Sequence, residues 1–313
     1  FDIQPKTEYF LDEQSFNDLD MNTVYEKIDR TYSSAGESAL YSMIRNIITD
    51  EDILNKRSGL IDFFKENEDI KYKIQVYFFN MGFDNKDCFI EMLETYLKVN
   101  KSKYYLYTFL GKALPLAMVL TAILTRNIKY MVALFAILWI NTFINIAESK
   151  NIKDKGLLYL RKIIVASKKL KNLNISQLKD YKIHINDILN NIKVIDRGTR
   201  FLGFTTMFEG FFEFISAPLL LEETTYYKLS SELKDKKESI LDLYYTIGEI
   251  EALTSLASYQ SGLDIQYVKP KFSKDIKLDI YEGVHPLVKN PVANSININK
   301  HGIILTGTNM SGK

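Results

Sequence analysis

Residues 303–313 read IILTGTNMSGK, an apolar run followed by a loop that begins and ends near a glycine. The apolar run is typical of a buried central strand in a parallel sheet. From Gly307 to Lys313 the loop has the pattern G-x-x-x-x-G-K, the body of a phosphate-binding P-loop. Glycines let the backbone approach a phosphate closely, and successive backbone amides bind its oxygens at the start of the next helix. The pattern predicts nucleotide binding within an α/β segment.

Seven consecutive loop residues are expected to contact the nucleotide. We expect Lys313 to neutralise the β- and γ-phosphates and Asn309 to shape the loop. The predicted binding residues are Gly307, Thr308, Asn309, Met310, Ser311, Gly312 and Lys313. The Ser or Thr that binds magnesium in a P-loop would follow Lys313. We therefore expect a fragment, open also before Phe1, that holds no catalytic residue and does not hydrolyse ATP alone.

The loop and the residues before it show a family resemblance. Residues 306–313 resemble the T-G-P-N-M-[GS]-G-K loop of the MutS family of DNA mismatch-repair ATPases. Residues 285–287 (HPL) and 292–294 (VAN) are similar to two further elements of that family. The resemblance implies an ATPase that uses ATP and Mg²⁺, acts as a homodimer and binds DNA. It also implies that His285, Val292 and Asn294 support the nucleotide pocket.

Two departures from the family pattern affect these expectations. Pro291 stands where the family usually has an aromatic residue that stacks on adenine, which leaves adenine selectivity open. In the family, a DNA clamp is inserted between the two halves of a helical lever. Here the apolar residues 104–147 take the place of that clamp. We also expect no mismatch-reading domain in this stretch. The resemblance is therefore to a membrane-anchored relative rather than to a standard mismatch sensor.

The apolar residues 104–147 form two runs joined by a short polar connection. Lys112 is the one charge between Tyr104 and Thr125, and residues 130–147 carry none. A helix over the second run spans about 27 Å, close to the roughly 30 Å of bilayer hydrocarbon. Lysines flank both outer ends of the two runs. They favour a transmembrane hairpin with both ends in the cytoplasm. Arg126 and Lys129 in the connection oppose that orientation. The alternative is a buried hairpin of a soluble cytoplasmic protein.

The rest of the chain predicts helices, then strands. Capping-box patterns begin at Thr23 and Ser34, and Thr49-Asp50 predicts a further helix start. We expect a core helix over 201–221 and a long amphipathic helix from about Ser231 to Ser261-Gly262. Apolar residues alternate over 276–280 and 296–298, as on half-buried strands.

These elements predict a mainly α fold that leads into an α/β P-loop ATPase domain. Four domains are expected, comprising the first half of a helical core and lever, the hydrophobic two-helix hairpin, the second half of the core and lever, and the N-terminal part of the ATPase domain. Their ranges are 1–103, 104–147, 148–264 and 265–313.

Composition excludes several classes of protein. Lys and Arg number 40 against 39 Asp and Glu, so the net charge of +1 gives no overall signal for polyanion binding. The single cysteine, Cys88, excludes an internal disulfide framework, and the three dispersed histidines do not predict a metal site. Residues 149–179 are locally basic. This segment could contact lipid headgroups or nucleic-acid phosphates, or form a solvated helix face.

Three functions remain open from the sequence. The first is a MutS-like ATPase that acts on DNA in a mismatch-repair-related role. The second is a membrane-tethered ATPase, on the cytoplasmic face of the cell membrane, that acts on a partner other than DNA. The third is a membrane scaffold that retains a nucleotide switch without turnover.

Overall fold

The computed structural model describes residues 9–84, 88–96, 99–152, 155–207, 212–299 and 302–304. This part of the chain is mainly helical, as expected. Its α-helices are α1 Glu13–Asp18, α2 Met21–Ile28, α3 Ser34–Arg45, α4 Glu51–Glu66, α5 Glu68–Met81, α6 Cys88–Glu91, α7 Lys101–Thr108, α8 Leu114–Thr125, α9 Lys129–Ile152, α10 Lys155–Lys171, α11 Lys179–Asn191, α12 Lys193–Met207, α13 Glu213–Ser216, α14 Leu221–Asp235 and α15 Lys237–Ser261. The strands are β1 Tyr9–Phe10, β2 Asn46–Ile47, β3 Lys277–Gly283 and β4 Asn294–Asn299, and they form two antiparallel pairs, β1–β2 and β3–β4.

Side-chain caps determine where the early helices begin. Asp50 accepts hydrogen bonds from the backbone amides of Asp52 and Ile53 at 2.9 and 3.2 Å, which confirms the predicted start of α4. Helix α3 is capped by Ser33, one residue before the expected Ser34. The capping box at Thr23 was wrong, because α2 begins at Met21 and the Thr23 hydroxyl donates to Asp20 at 2.7 Å.

The core lies around α10 and α15. Helix α15 packs against α3, α4, α5, α10 and α11. Its inward face is fully or almost fully buried, and so is that of α10; the residues concerned are Leu160, Ile163, Ile164, Ile240, Leu243, Ile247, Ile250 and Leu253. Where α15 crosses α3, Gly248 lies directly against the backbone of Ala35. The absence of a side chain at position 248 therefore allows the two helices to pack closely.

Two predicted helices have different bounds in the structure. The amphipathic helix expected from Ser231 is two helices, α14 and α15, that meet at Lys236. Its predicted end is confirmed, because α15 stops at Ser261 before Gly262. The helix expected over 201–221 does not extend over the whole range, because residues 217–220 are a turn; residues 208–211 lie outside the described residues. Helix α12 ends at Met207, and the short α13 exposes Phe214 and Ile215 instead of burying them.

Residues 101–152 form a helical hairpin. Helices α7 and α8 are joined through a π-helical turn, Phe109–Ala113, into one rod. The chain reverses at residues 126–128, where Arg126 adopts a left-handed backbone conformation with φ of 51°, and α9 returns along α8. The lower part of this hairpin packs on α14.

The segment after α15 is largely exposed. Strands β3 and β4 pair Leu278 with Ile298 and Ile280 with Ile296, so the predicted alternation is real. Ile296 and Ile298 are half-buried, as expected, whereas Leu278 and Ile280 are exposed, so the half-buried expectation is confirmed for β4 and was wrong for β3. Ile303 and Ile304 are also exposed and outside any strand, so the described residues do not show the expected buried central strand. A parallel strand is buried by helices and strands on both faces, and no such cover is present among the described residues.

Candidate functional site

The predicted phosphate-binding residues, 307–313, lie outside the residues that the structure describes. The three predicted pocket residues lie in or beside the β3–β4 pair. His285 follows β3, and its Nδ1 accepts the backbone N–H of Leu287 at 3.3 Å. Asn294 begins β4 and donates from Nδ2 to the carbonyl of Val292 at 3.0 Å.

The described residues do not enclose these three side chains. Val292 is 79% exposed, and His285 and Asn294 are exposed as well. Asn294 and Val292 are linked by one hydrogen bond, whereas His285 bonds only locally within the described part of the chain. The surrounding segment contacts the helical body through a few polar pairs, among them Lys27 with the carbonyl of Pro286 and Lys269 with Asp62.

A buried carboxyl group joins α15 to the start of α3. Glu251 is 1% exposed and accepts the backbone N–H of Tyr32 at 2.6 Å and the hydroxyl of Ser33. Burial raises the pKa of Glu251 to about 8. A β-carbon at Gly36 would collide with this carboxyl group, at 2.3 Å from Oε2. Glu251 was not predicted from the sequence, although a lone acid at a core position of the amphipathic pattern was a visible signal.

The hairpin is exposed over most of its apolar surface. Lys101–Thr125 and Lys129–Glu148 are each long and apolar enough to cross a membrane. Only 11% and 17% of their most apolar windows are buried within the chain. The exposed large side chains are Tyr105, Leu106, Phe109, Leu116, Leu120, Ile123, Leu124, Ile128, Tyr130, Val132, Phe135, Trp139, Ile140, Phe143 and Ile146. Buried core helices of a soluble protein pass the same length and composition test, but they do not expose this much apolar surface.

Polar side chains of α9 hold the hairpin on the body. Asn141 is fully buried and donates from Nδ2 to the carbonyls of Leu110 and Pro218, at 3.0 and 2.8 Å. Asn145 donates to Glu223 at 2.7 Å. Burial raises the pKa of Glu223 to about 7, and its Oε2 has no hydrogen-bond partner among the described residues. Both asparagines are therefore structural contacts of the hairpin.

A charged cluster closes the base of the hairpin. Glu148 accepts the hydroxyls of Tyr107 and Tyr227 at 2.8 and 2.7 Å and an ammonium hydrogen bond from Lys103 at 2.5 Å. The cluster ties both legs of the hairpin to α14, because its members come from α7, α9 and α14. Both carboxylate oxygens of Glu148 accept hydrogen bonds from these neighbours. We therefore interpret the cluster as a structural anchor and not as a catalytic site.

The locally basic residues 149–179 make several contacts within the body. Arg161 and Lys168 both pair with Asp196, at 2.9 and 2.6 Å. Lys162 donates to the carbonyl of Met81, and Lys169 lies over the ring of Tyr77. These four cations are therefore used in packing the helices together.

A different set of cations lines an open cleft beside the hairpin. The cleft has a volume of about 290 Å³ and lies between α7, α12 and α14. Lys112, Arg197 and Lys228 line it, together with the hydroxyl-bearing residues Tyr104, Thr224 and Thr225. In the sequence, Lys112 is recognisable only as the single charge in its apolar run.

Comparison with known proteins adds a partial similarity. No family model matches the chain. The DNA mismatch repair protein MutS of Thermotoga maritima is 36% identical over 99 residues, which are 30% of this chain and 12% of that protein. MutS of Thermotoga sp. strain RQ2 is 36% identical, and MutS of Thermotoga neapolitana 33%, with the same coverage. The chain thus spans 12% of the length of these curated relatives, and over that stretch it is related to MutS.

Proposed function

We propose that this chain is part of a MutS-related ATPase that its helical hairpin holds on the cytoplasmic face of a membrane. The observation that supports attachment to a membrane is the exposed apolar surface of the hairpin between Asn141 and the tip. Water-exposed apolar surface of this extent is unfavourable by roughly 25 cal/mol for every Å². A lipid bilayer would cover it on all sides, whereas the helical body covers it only at the base.

The nucleotide half of the proposal rests on sequence. The P-loop pattern of residues 307–313 and the similarity to MutS support binding of ATP with Mg²⁺. The similarity also supports a homodimer. In the full-length protein, Lys313→Ala should abolish tight ATP binding because it removes the cation that we expect to neutralise the β- and γ-phosphates. Undiminished binding of a fluorescent ATP analogue to this variant would rule out the phosphate-loop assignment.

Trp139 provides a direct test of the membrane half. It is the one tryptophan of the chain, and it is 68% exposed on α9. It lies about 15 Å along the helix from Lys129, at a rise of about 1.5 Å per residue. If the tip of the hairpin reaches the far interface, this depth is the centre of a bilayer whose hydrocarbon is about 30 Å thick.

The experiment measures Trp139 fluorescence of the chain in vesicles whose lipids carry bromine at different depths. We expect the emission to move to shorter wavelength and the strongest quenching by bromines near the ends of the acyl chains. The matched control is Leu124→Trp in a Trp139→Phe background. Position 124 is close to the tip of the hairpin, so the deepest bromines should quench this tryptophan least. Equal emission in buffer and in vesicles, with no quenching at any depth, would refute the membrane hairpin.

A soluble, DNA-acting ATPase is the second candidate, because the similar proteins are named for DNA mismatch repair. On this alternative, the full-length protein would bind duplex DNA with an affinity that falls steeply with salt. It would also leave membranes in an alkaline carbonate wash. Retention in the membrane pellet together with no DNA affinity would exclude this candidate.

A further inference from the structure

We propose that the cleft lined by Lys112, Arg197 and Lys228 binds the phosphate of an anionic phospholipid at the cytoplasmic surface of the membrane. The proposal rests on the membrane hairpin proposed above. It assigns a ligand to a part of the molecule that the nucleotide and hairpin contacts do not use.

The lining of the cleft suits a phosphate with a net negative charge. Among the described residues, no aspartate or glutamate lines the cleft, and none of its three cations forms an ion pair. Tyr104 adds a hydroxyl that can donate a hydrogen bond, whereas the hydroxyls of Thr224 and Thr225 donate to the carbonyl of Leu221 at 3.1 and 2.7 Å. Phosphate oxygens accept both kinds of hydrogen bond, and those from charged donors are the stronger.

The depth of the cleft along the hairpin favours lipid over other sources of phosphate. Measured down the rod from Arg126 at the tip, Lys112 lies at about 21 Å and Tyr104 at about 33 Å. The hydrocarbon of a bilayer is about 30 Å thick, with the headgroups just outside it. If the tip is at the far interface, the cleft therefore lies across the near boundary between hydrocarbon and headgroups.

The neighbouring connection between α12 and α14 agrees with this depth. The carbonyl of Pro218 accepts the amide of Asn141, and the carbonyl of Leu219 lies beside Gly111, so this connection reaches the level of the rod immediately on the body side of Lys112. It exposes Met207 at 80% and Phe214 at 83%. Exposed apolar side chains thus lie in the connection that neighbours the cleft cations, and such a mixture is common at a membrane interface.

The test compares lipids bound to three purified forms of the chain. The cleft variant carries Lys112→Gln, Arg197→Gln and Lys228→Gln. The control carries Lys179→Gln, Lys193→Gln and Lys234→Gln, which removes the same charge from exposed positions outside the cleft lining. Each is equilibrated in mixed micelles with equal amounts of phosphatidylglycerol and phosphatidylcholine, and the lipids retained are quantified by mass spectrometry.

We expect the wild type and the control to retain phosphatidylglycerol in preference to phosphatidylcholine by about tenfold or more, and the cleft variant to lose the preference. An equal ratio in the wild type, or an unchanged preference in the cleft variant, would overturn the proposal. So would saturable binding of inorganic phosphate alone that abolishes the lipid preference, which would make free phosphate the ligand. Duplex DNA binding that is lost in the cleft variant without any lipid preference would assign the cleft to nucleic acid.

Trp139 quenching in vesicles of pure phosphatidylcholine separates this proposal from the one on which it rests. If quenching is seen but no lipid preference, the hairpin inserts and the headgroup site is wrong. If no quenching is seen in any lipid, the membrane hairpin itself is wrong.

Discussion

Alanine in place of Gly248 should destabilise the chain at the crossing of α3 and α15. A β-carbon at position 248 would lie 2.2 Å from the carbonyl oxygen of Ala35 and 3.0 Å from the β-carbon of Ala39. Ala35 and Ala39 are fully buried, and the closest obstacle is backbone rather than a flexible side chain. Because ordinary non-bonded contacts lie near 3.5 Å, the two helices must move apart by about 1 Å to accept the methyl group.

The magnitude follows from comparison with a second helical glycine. Nothing lies within 4 Å of a β-carbon built at Gly59, in α4. There, alanine should stabilise the chain by about 0.5–1 kcal/mol, because glycine is a poor helix former. The same gain applies at position 248, but overpacking of a buried contact costs about 1–3 kcal/mol. The free energies of unfolding of the two variants should therefore differ by about 1–3 kcal/mol, with Gly59→Ala the more stable.

Urea unfolding of the chain in mild detergent, followed by the circular dichroism of its helices, measures this difference. Both variants should have the helix content of the wild type before urea is added. If Gly248→Ala is as stable as Gly59→Ala, then α3 and α15 are not in backbone contact at this crossing. The close packing described above would then be incorrect.

Two further substitutions test buried polar groups. Glu251 has a folded pKa of about 8, above the ordinary value of 4.5, so its contribution to stability is complete below pH 4.5 and is lost as the pH rises through 8. Between these limits, Glu251→Gln should reduce the change of the free energy of unfolding with pH by up to about 1.4 kcal/mol per pH unit. If denaturation series at several pH values show the same pH dependence for the variant and the wild type, the shifted pKa is contradicted. Asn141→Leu leaves the carbonyls of Leu110 and Pro218 without their donor. This should lower the free energy of unfolding by about 1–3 kcal/mol for each carbonyl, and the melting temperature with it. An unchanged melting temperature would show that these bonds are not formed.

Local signals in the sequence predicted some elements well. Asp50 starts α4 because its side chain satisfies free backbone amides, an interaction between residues two and three positions apart. Gly262 follows the end of α15, where its backbone N–H donates to the carbonyls of Ser258 and Tyr259, which are also local partners. The two apolar runs around residues 126–128 were also recognisable, because their lack of charge extends over whole helices.

Long-range contacts explain what the sequence did not predict. The helix break at Lys236 has neither proline nor glycine, so no local signal marks it. Glu251 bonds to Tyr32 and Ser33, more than two hundred residues away in the chain. The candidate phosphate cleft likewise joins residues from three helices. Such groups can be identified only once the fold brings their members together.

The polar contacts of α9 define how much of the hairpin belongs to the helical body. Three polar side chains of α9, those of Glu148, Asn145 and Asn141, bond to α7, to α14 or to the turn before α14. Beyond Asn141, towards the tip, large apolar side chains are exposed on both legs. The hairpin is thus anchored at its base to α14, which leads through Lys236 directly into α15. Two consecutive helices therefore lead from the proposed membrane anchor to residues 262–276, which have no helix or strand and connect α15 to β3 in the predicted nucleotide-binding segment.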